Sequence, residues 1–302
     1  MKSQRVIGVD LGGTKILAGV LDRDGVIHET CEVRTPTESQ EALVEGIAEA
    51  VEQVLEPGIA ALGLGIPSVI DRSDGRSLGS INIPLAGIAL GEVLGERFGI
   101  PAAVENDANA AALAEWRRGV GRGADDLVML TLGTGVGGGL VLNGSLYRGW
   151  AELGHVVVLA DGPPCQGNCT GRGHLEAVAS GNAADRAAEE LWGPGSTAEQ
   201  LVERARAGDG EAVEAFARIG GLLGAAIGSF VNIFGVGLVV VGGGFGIAAA
   251  DFLFEPALET ARREALEPGR ELRIVEAELG SDAGLVGAGL VGFEALDGER
   301  SH

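Results

Sequence analysis

This sequence is short of positive charge, cysteine and proline, and each shortage excludes something. Only 22 Lys and Arg stand against 43 Asp and Glu, a formal charge of −21 over 302 residues. A nucleic-acid binder needs a basic surface. No Lys/Arg-rich run occurs, so neither nucleic acid nor an anionic membrane is an expected partner. Three cysteines cannot build a disulfide framework. The apolar run that follows Arg5 is too short for a signal peptide, and a reducing, cytoplasmic setting is expected. Ten prolines without a Gly-X-Y period exclude collagen. With 46% hydrophobic and 22% charged residues, global disorder is excluded as well. Residues 219–250 carry no charge, but glycines divide them into a helix-like piece (222–232) and a strand-like piece (238–241). A buried helix–strand pair is expected there rather than a membrane span, which needs one continuous apolar helix.

Glycine is abundant instead: 52 residues, where roughly 7% of a chain is usual. Part of it marks an internal duplication. An apolar run at 5–10 leads to Gly12-Gly13-Thr14, a second run at 16–21, Asp24-Gly25, and a third run at 26–32. The order repeats at 127–132, Gly133-Thr134-Gly135, 136–142, Asn143-Gly144 and 145–147. Thr14 maps to Thr134, and Asp24-Gly25 to Asn143-Gly144, at offsets of 120 and 119. Asp-Gly and Asn-Gly are strong hairpin signals. Helical spacing at 41–55 precedes a strand at 60–66. In the second copy, a helix at 211–232 precedes a strand at 238–241. Two similar α/β domains follow, 1–118 and 119–302, with their boundary in the glycine-rich 119–123. Residues 149–210 form an insertion in the second copy. The last helix, 282–296, could return to either domain.

The two glycine turns carry the first chemistry. Asp10-x-Gly12-Gly13-Thr14-Lys15 and Gly133-Thr134-Gly135-Val136-Gly137-Gly138-Gly139 each run from a strand into a turn. There, backbone N–H groups can converge on an anion and a threonine hydroxyl adds a donor. Asp10 cannot bind phosphate directly, but it can hold Mg²⁺ through water. Neither turn has the P-loop spacing. A strand at 101–105 then meets an alanine-rich helix, with Asn106 or Asp107 as a natural N-cap. The helix dipole favours ionised Asp107, a carboxylate able to take a proton from a hydroxyl, which is what phosphoryl transfer asks of a side chain.

Further on come His155, Cys165, Cys169 and His174, two of the four histidines and two of the three cysteines within 20 residues. They offer four ligands to a tetrahedral Zn²⁺. A full shell leaves no open position, so the expected role is structural. Cys31 stands apart as a half-buried strand residue. A strand at 239–241 ends in Gly242-Gly243-Gly244, where an adenine or ribose could lie on exposed backbone. The sequence at 280–284 could cap the last helix.

Together these motifs resemble the ROK family (repressors, open reading frames and sugar kinases) of the actin-like ATPase superfamily. They occur in family order: Asp-x-Gly-Gly-Thr-Lys, Glu-Asn-Asp-Ala-Asn, Leu-Gly-Thr-Gly-Val-Gly-Gly-Gly, Glu-x-Gly-His, the Cys/His cluster, and Leu279-Gly280-x-x-Ala283-Gly284. The resemblance spans nearly the whole chain. It implies two actin-like (ribonuclease H-like) α/β domains around an interdomain cleft, and ATP-dependent phosphorylation of a hexose at its 6-hydroxyl. Glucose is the first acceptor expected. Mannose, fructose, N-acetylglucosamine and N-acetylmannosamine are the alternatives, and polyphosphate is an alternative donor.

By the same resemblance Asp107 is the general base. Asn82, Asn106, Asp107, Glu152, His155 and Glu176 bind the sugar, with a backbone contact from Gly65. Thr14 and Thr134 sit at the phosphates, and Gly243-Gly244 near the adenosine. Homodimers or homotetramers are implied. Family repressors carry an N-terminal helix-turn-helix. Here the phosphate strand begins by Arg5, so a sugar-sensing regulator is disfavoured.

The chain departs from the family in three places, one of them Ser68, which follows Gly65-Ile66-Pro67 where glycine is common. The usual zinc run is Cys-x-Cys-Gly-x-x-Gly-Cys-x-Glu, whereas here Cys165 and Cys169 are four apart and His174 replaces a cysteine. The segment between Gly149 and Glu152 is shorter than usual, with Trp150-Ala151 where a longer loop is expected beside the sugar.

Overall fold

The computed structural model describes residues 4–80 and 83–298, and the chain divides into two compact units. One unit runs through Arg118 and adds the stretch from Asp282 onward. Its sheet holds β1 (Arg5–Leu11), β2 (Lys15–Asp22), β3 (Ile27–Arg34), β4 (Ile59–Ile66) and β5 (Ala102–Asn106), in the order β3-β2-β1-β4-β5. The first three strands are antiparallel, while β4 runs parallel to β1 and β5 parallel to β4. Central β1 and β4 are apolar on both faces and buried, as strands covered on two sides must be. Edge strand β3 mixes exposed and half-buried residues, and Cys31 is half-buried on it.

Three helices follow these strands: α1 (Gln40–Val54), α2 (Leu90–Phe98) and α3 (Asp107–Arg118). Ser39 caps α1, its hydroxyl accepting the Ala42 N–H at 3.1 Å. Leu43, Ile47, Val51 and Val54 then put one apolar stripe on the sheet. The C-terminal helix, Ala283–Asp297, belongs to this unit and packs on β1, β4 and α3. Glycine permits its approach. A Cβ on Gly63 would strike the Ala288 carbonyl, and one on Gly287 would strike that of Ala110. Asp282 stands at the N-cap of this helix but makes no side-chain capping bond.

The second unit, Gly119–Ser281, repeats the plan. Its strands are β6 (Leu127–Leu132), β7 (Val136–Leu142), β8 (Ser145–Leu146), β9 (Leu238–Gly242) and β10 (Arg273–Glu276), ordered β10-β9-β6-β7-β8. Again three strands are antiparallel and two add in parallel beside the first. Each strand of one sheet has its counterpart in the other, and β10 supplies a match to β5 that the sequence pattern did not reveal.

The paired hairpins differ in their turns. Asn143 and Gly144 both have positive φ, 52° and 67°, which gives a two-residue connection from Leu142 to Ser145. In the first copy only Gly25 does, at 81°. There the Asp22 carboxylate accepts the Asp24 and Val26 N–H groups, and the strand register shifts. A side-chain turn replaces the tight hairpin that Asp24-Gly25 suggested.

The inserted segment forms α4 (Leu175–Ala179), α5 (Gly181–Trp192) and α6 (Ala198–Arg206). Beyond it lie α7 (Gly210–Phe234), α8 (Gly244–Ala248) and α9 (Ala250–Glu264). By length and composition α7 could cross a membrane, yet over half of that window is buried. Its Gly220, Gly224 and Gly228 lie against backbone carbonyls of α9 at Leu253, Ala257 and Ala261. The uncharged 219–250 stretch is thus a packed helix and a fully buried strand.

Candidate active site

In the first unit, the turn between β1 and β2 is closed by the Gly12 N–H on the Lys15 carbonyl, 2.9 Å. Thr35 clamps it from behind, its hydroxyl donating to the Gly12 carbonyl (2.8 Å) and its N–H to the Thr14 carbonyl (3.0 Å). Gly13 and Thr14 are exposed at the tip. Lys15 is also exposed and is engaged by Glu32 at 2.8 Å, which raises its pKa. Asp10 sits under the turn. Burial raises its pKa, and nearby Lys15 offsets this only in part. A carboxylate this poorly compensated suits a cation.

The same unit places Asp107 where β5 gives way to α3. Asn106 is the functional cap, its Oδ1 accepting the Asn109 N–H at 3.1 Å while its Nδ2 reaches the Ser68 carbonyl at 3.4 Å. Asp107 begins the helix and accepts the Ala108 N–H at 2.8 Å. Beneath it lies Glu105, 1% exposed. Its carboxylate takes the Arg72 guanidinium (2.5 Å), the Asn106 N–H (2.9 Å) and the Asn109 amide (3.1 Å). Burial alone would raise its pKa, but Arg72 and these donors outweigh burial and hold it below the usual range. Gly65 lies at the end of β4, and a Cβ there would come within 3.7 Å of the Asp107 Cα. Asn82 lies outside the described residues.

In the second unit the turn between β6 and β7 carries Thr134 exposed at its tip, with Gly133 closed on Gly135 at 3.0 Å. Glu176, from α4, accepts the Val136 N–H at 3.1 Å. Glu152 is exposed, and its carbonyl accepts the His155 N–H at 3.0 Å.

His155, Cys165, Cys169 and His174 converge, with one ligand atom from each lying within 4.8 Å of the others. Bonds of about 2.0–2.1 Å to nitrogen and about 2.3 Å to sulfur in a tetrahedron give edges of about 3.3 Å (N···N) and about 3.6 Å (N···S). The two Nδ1 atoms are 3.3 Å apart. Cys165 Sγ lies 3.7 Å from Nδ1 of His155, and Cys169 Sγ 3.6 Å from Nδ1 of His174. The donor set fits a tetrahedral metal ion. Burial first, and then neighbouring Cys169 and Glu176, push the Cys165 thiol up to about 11. His155 turns Nδ1 to the cluster, which leaves Nε2 on the opposite side of the ring.

Beside the second glycine turn is a cavity of about 790 Å³, large enough for a nucleoside. Its lining includes Gly133, Thr134, Gly244 and Phe245, and a second group of residues, Asn182, Asp185, Thr197, Glu203 and Arg206. The second group, from α5 and α6 and the turn between them, was not foreseen. No motif marks it, and its only sequence trace is the Thr197–Gln200 capping box of α6. Gly243, with φ of 82°, turns the chain from β9 into α8, so Gly244 opens a helix rather than a plain turn. Arg72 was not foreseen either.

Two like sheets, each bearing a glycine turn between its first two strands, define the actin-like α/β class. The chain belongs to the ROK family, whose sequence model matches residues 6–292. It is 37% identical over 321 residues to a glucokinase of Thermotoga maritima, covering 99% of this chain and 100% of that one. It is 36% identical over 308 residues to a glucokinase of Streptomyces coelicolor, covering 93% of this chain and 95% of that one. Among solved structures it is similar to a ROK family glucokinase from Streptomyces griseus in complex with glucose and AMPPNP. That likeness has a TM-score of 0.83 and 35% identity, and covers 96% of this chain and 99% of the other.

Proposed function

We propose that this sugar kinase transfers the γ-phosphoryl group of ATP to the 6-hydroxyl of glucose. The observation that carries the reading is the similarity, over 96% of the chain, to a kinase holding glucose and AMPPNP. Asp107 accepts the 6-hydroxyl proton as the sugar oxygen bonds to the γ-phosphorus. The bond from that phosphorus to the bridging oxygen breaks, and ADP leaves with the electron pair. In the first unit, Gly65, Asn82 and Asn106 join Asp107 in holding the sugar. In the second, Glu152, the Nε2 of His155 and Glu176 take ring hydroxyls. Glu176 already accepts the Val136 N–H with one oxygen, so it offers its remaining lone pairs.

Gly12, Gly13, Thr14 and Lys15 in one turn, and Gly133, Thr134 and Gly135 in the other, receive the phosphates. Gly243 and Gly244 border the adenosine, which enters the cavity beside Thr134. Asp10 is the residue suited to hold hydrated Mg²⁺, which supplies charge compensation to the phosphates when bound. His155, Cys165, Cys169 and His174 hold a structural Zn²⁺ that fixes a loop with little core of its own.

Two units divided near residues 118 and 119, a cytoplasmic location and a homodimer or homotetramer complete the proposal. The test is ADP release from ATP against equal concentrations of glucose, mannose, fructose, N-acetylglucosamine and N-acetylmannosamine. Glucose is expected to give the highest kcat/KM. A higher value for an acetylated sugar overturns the assignment of the acceptor.

A further inference from the structure

We propose that Gln166 is a positioning residue for the nucleotide, linking the metal-binding loop to the second phosphate turn. Gln166 follows Cys165 directly, and its carbonyl accepts the Cys169 N–H at 3.2 Å, so its backbone belongs to the metal loop. Its side chain leaves that loop. The amide nitrogen faces the Ser180 hydroxyl (3.1 Å), the Glu176 carbonyl (3.3 Å) and the Thr134 carbonyl (3.4 Å). Its oxygen accepts from the Asn182 side-chain amide. Ser180 is fully buried and caps α5 by accepting the Ala183 N–H at 3.2 Å.

These bonds aim the N–H groups of the turn. A peptide unit is planar and trans, so fixing a carbonyl fixes the N–H on its far side. The Gly133 carbonyl is held by the Gly181 N–H at 2.8 Å, which orients the Thr134 N–H. The Thr134 carbonyl is held by the Asn182 N–H at 3.4 Å and by Gln166, which orients the Gly135 N–H. The Gly133 N–H closes the turn, and that of Val136 goes to Glu176. The N–H groups of Thr134 and Gly135 are the ones left for a phosphate. Gln166 is the side chain that holds one of their peptides and, through Ser180 and Asn182, the helix start that holds both.

The inference rests on the proposed ATP-dependent activity and extends it. Ordering of the metal loop sets nucleotide affinity as well as local stability. Gln166→Met keeps the bulk and loses every polar contact. Gln166→Asn keeps an amide that is one methylene too short to reach them. Each variant is assayed for AMPPNP binding by calorimetry without sugar, for the KM of ATP and of glucose, for zinc content and for Tm. Weakened hydrogen bonds to the turn are expected to raise the AMPPNP Kd and the ATP KM about tenfold. The glucose KM is expected to stay within about twofold, with zinc content and Tm retained. Unchanged nucleotide affinity in both variants overturns the role. So does an equal loss for ATP and glucose, which marks a general structural effect. Wild-type protein that binds no AMPPNP overturns ATP as the donor and this inference with it, a result distinct from failure of the variants alone.

Discussion

The guanidinium of Arg72 lies 2.5 Å from the buried carboxylate of Glu105, the residue two before Asp107. The pair sets the corner from which α3 starts, and it has a predictable pH signature. The folded-state pKa of Glu105 is held below its ordinary 4.5. The stabilisation it brings is therefore complete above that value and is lost as pH falls through the lower folded one. Arg72→Met leaves burial unopposed by its main partner. At pH 7 it should cost roughly 2 kcal/mol, less than a fully buried pair because Arg72 is partly exposed. The deficit should begin to shrink as pH falls through the raised pKa of Glu105 in the variant, which lies above the ordinary 4.5, and should be smaller still where wild-type Glu105 is protonated. Urea unfolding of both proteins at pH 7 and pH 3.5 measures it, and a deficit that does not change with pH would assign Arg72 to packing alone.

The tetrahedral edges among His155, Cys165, Cys169 and His174 predict one zinc per chain by metal analysis. Chelation should lower Tm by roughly 5–10 °C and open residues 160–174 to protease, since that loop has little apolar burial of its own. His174→Cys exchanges one zinc-binding side chain for another and should retain the metal. His174→Ala removes a ligand and should lose it. A His174→Ala protein with full zinc content would refute the ligand set.

Much of this was legible in the sequence because it is carried by local chemistry. The Asn143-Gly144 hairpin, the glycine turns and the Asn106–Asp107 helix start depend on a few adjacent residues, and the offset of 120 between Thr14 and Thr134 marked the duplication, while the Asp24-Gly25 turn took a side-chain form instead of the tight hairpin expected. The Cys/His cluster was legible because its residue types are rare in this chain. What escaped depends on distant partners. Four-residue β10 is an edge strand defined only by pairing with β9. Arg72 takes its meaning from Glu105, 33 positions on. The lining of the cavity from α5 and α6 consists of ordinary helix-surface residues. The C-terminal helix gave no sign of its unit until the backbone contacts at Gly63 and Gly287 appeared.

Those contacts give a packing prediction. A methyl group on Gly63 or Gly287 meets backbone atoms, which cannot rotate away. Gly63→Ala and Gly287→Ala should each destabilise by roughly 3 kcal/mol, a fall in Tm of about 6–12 °C. Gly210 starts α7 with open space around its Cα, so Gly210→Ala should be neutral or stabilise by up to about 1 kcal/mol. Thermal unfolding of the three variants decides the matter. Equal effects at all three would show that glycine serves chain flexibility rather than close approach.

Asp107→Asn tests the proposed proton acceptor. The amide oxygen of asparagine can still accept the Ala108 N–H that Oδ1 takes at 2.8 Å, so the start of α3 should survive and Tm should move little. The amide cannot take up the proton of the sugar hydroxyl. Removing a general base costs about 10²–10⁴-fold in kcat, and a loss in that range is expected with the KM of glucose and ATP within about threefold. A tenfold rise in both KM values with kcat retained would instead make Asp107 a binding residue. Steady-state kinetics with saturating ATP and varied glucose, then the converse, separate the two outcomes, because only loss of the acceptor leaves ground-state binding intact while slowing the chemical step.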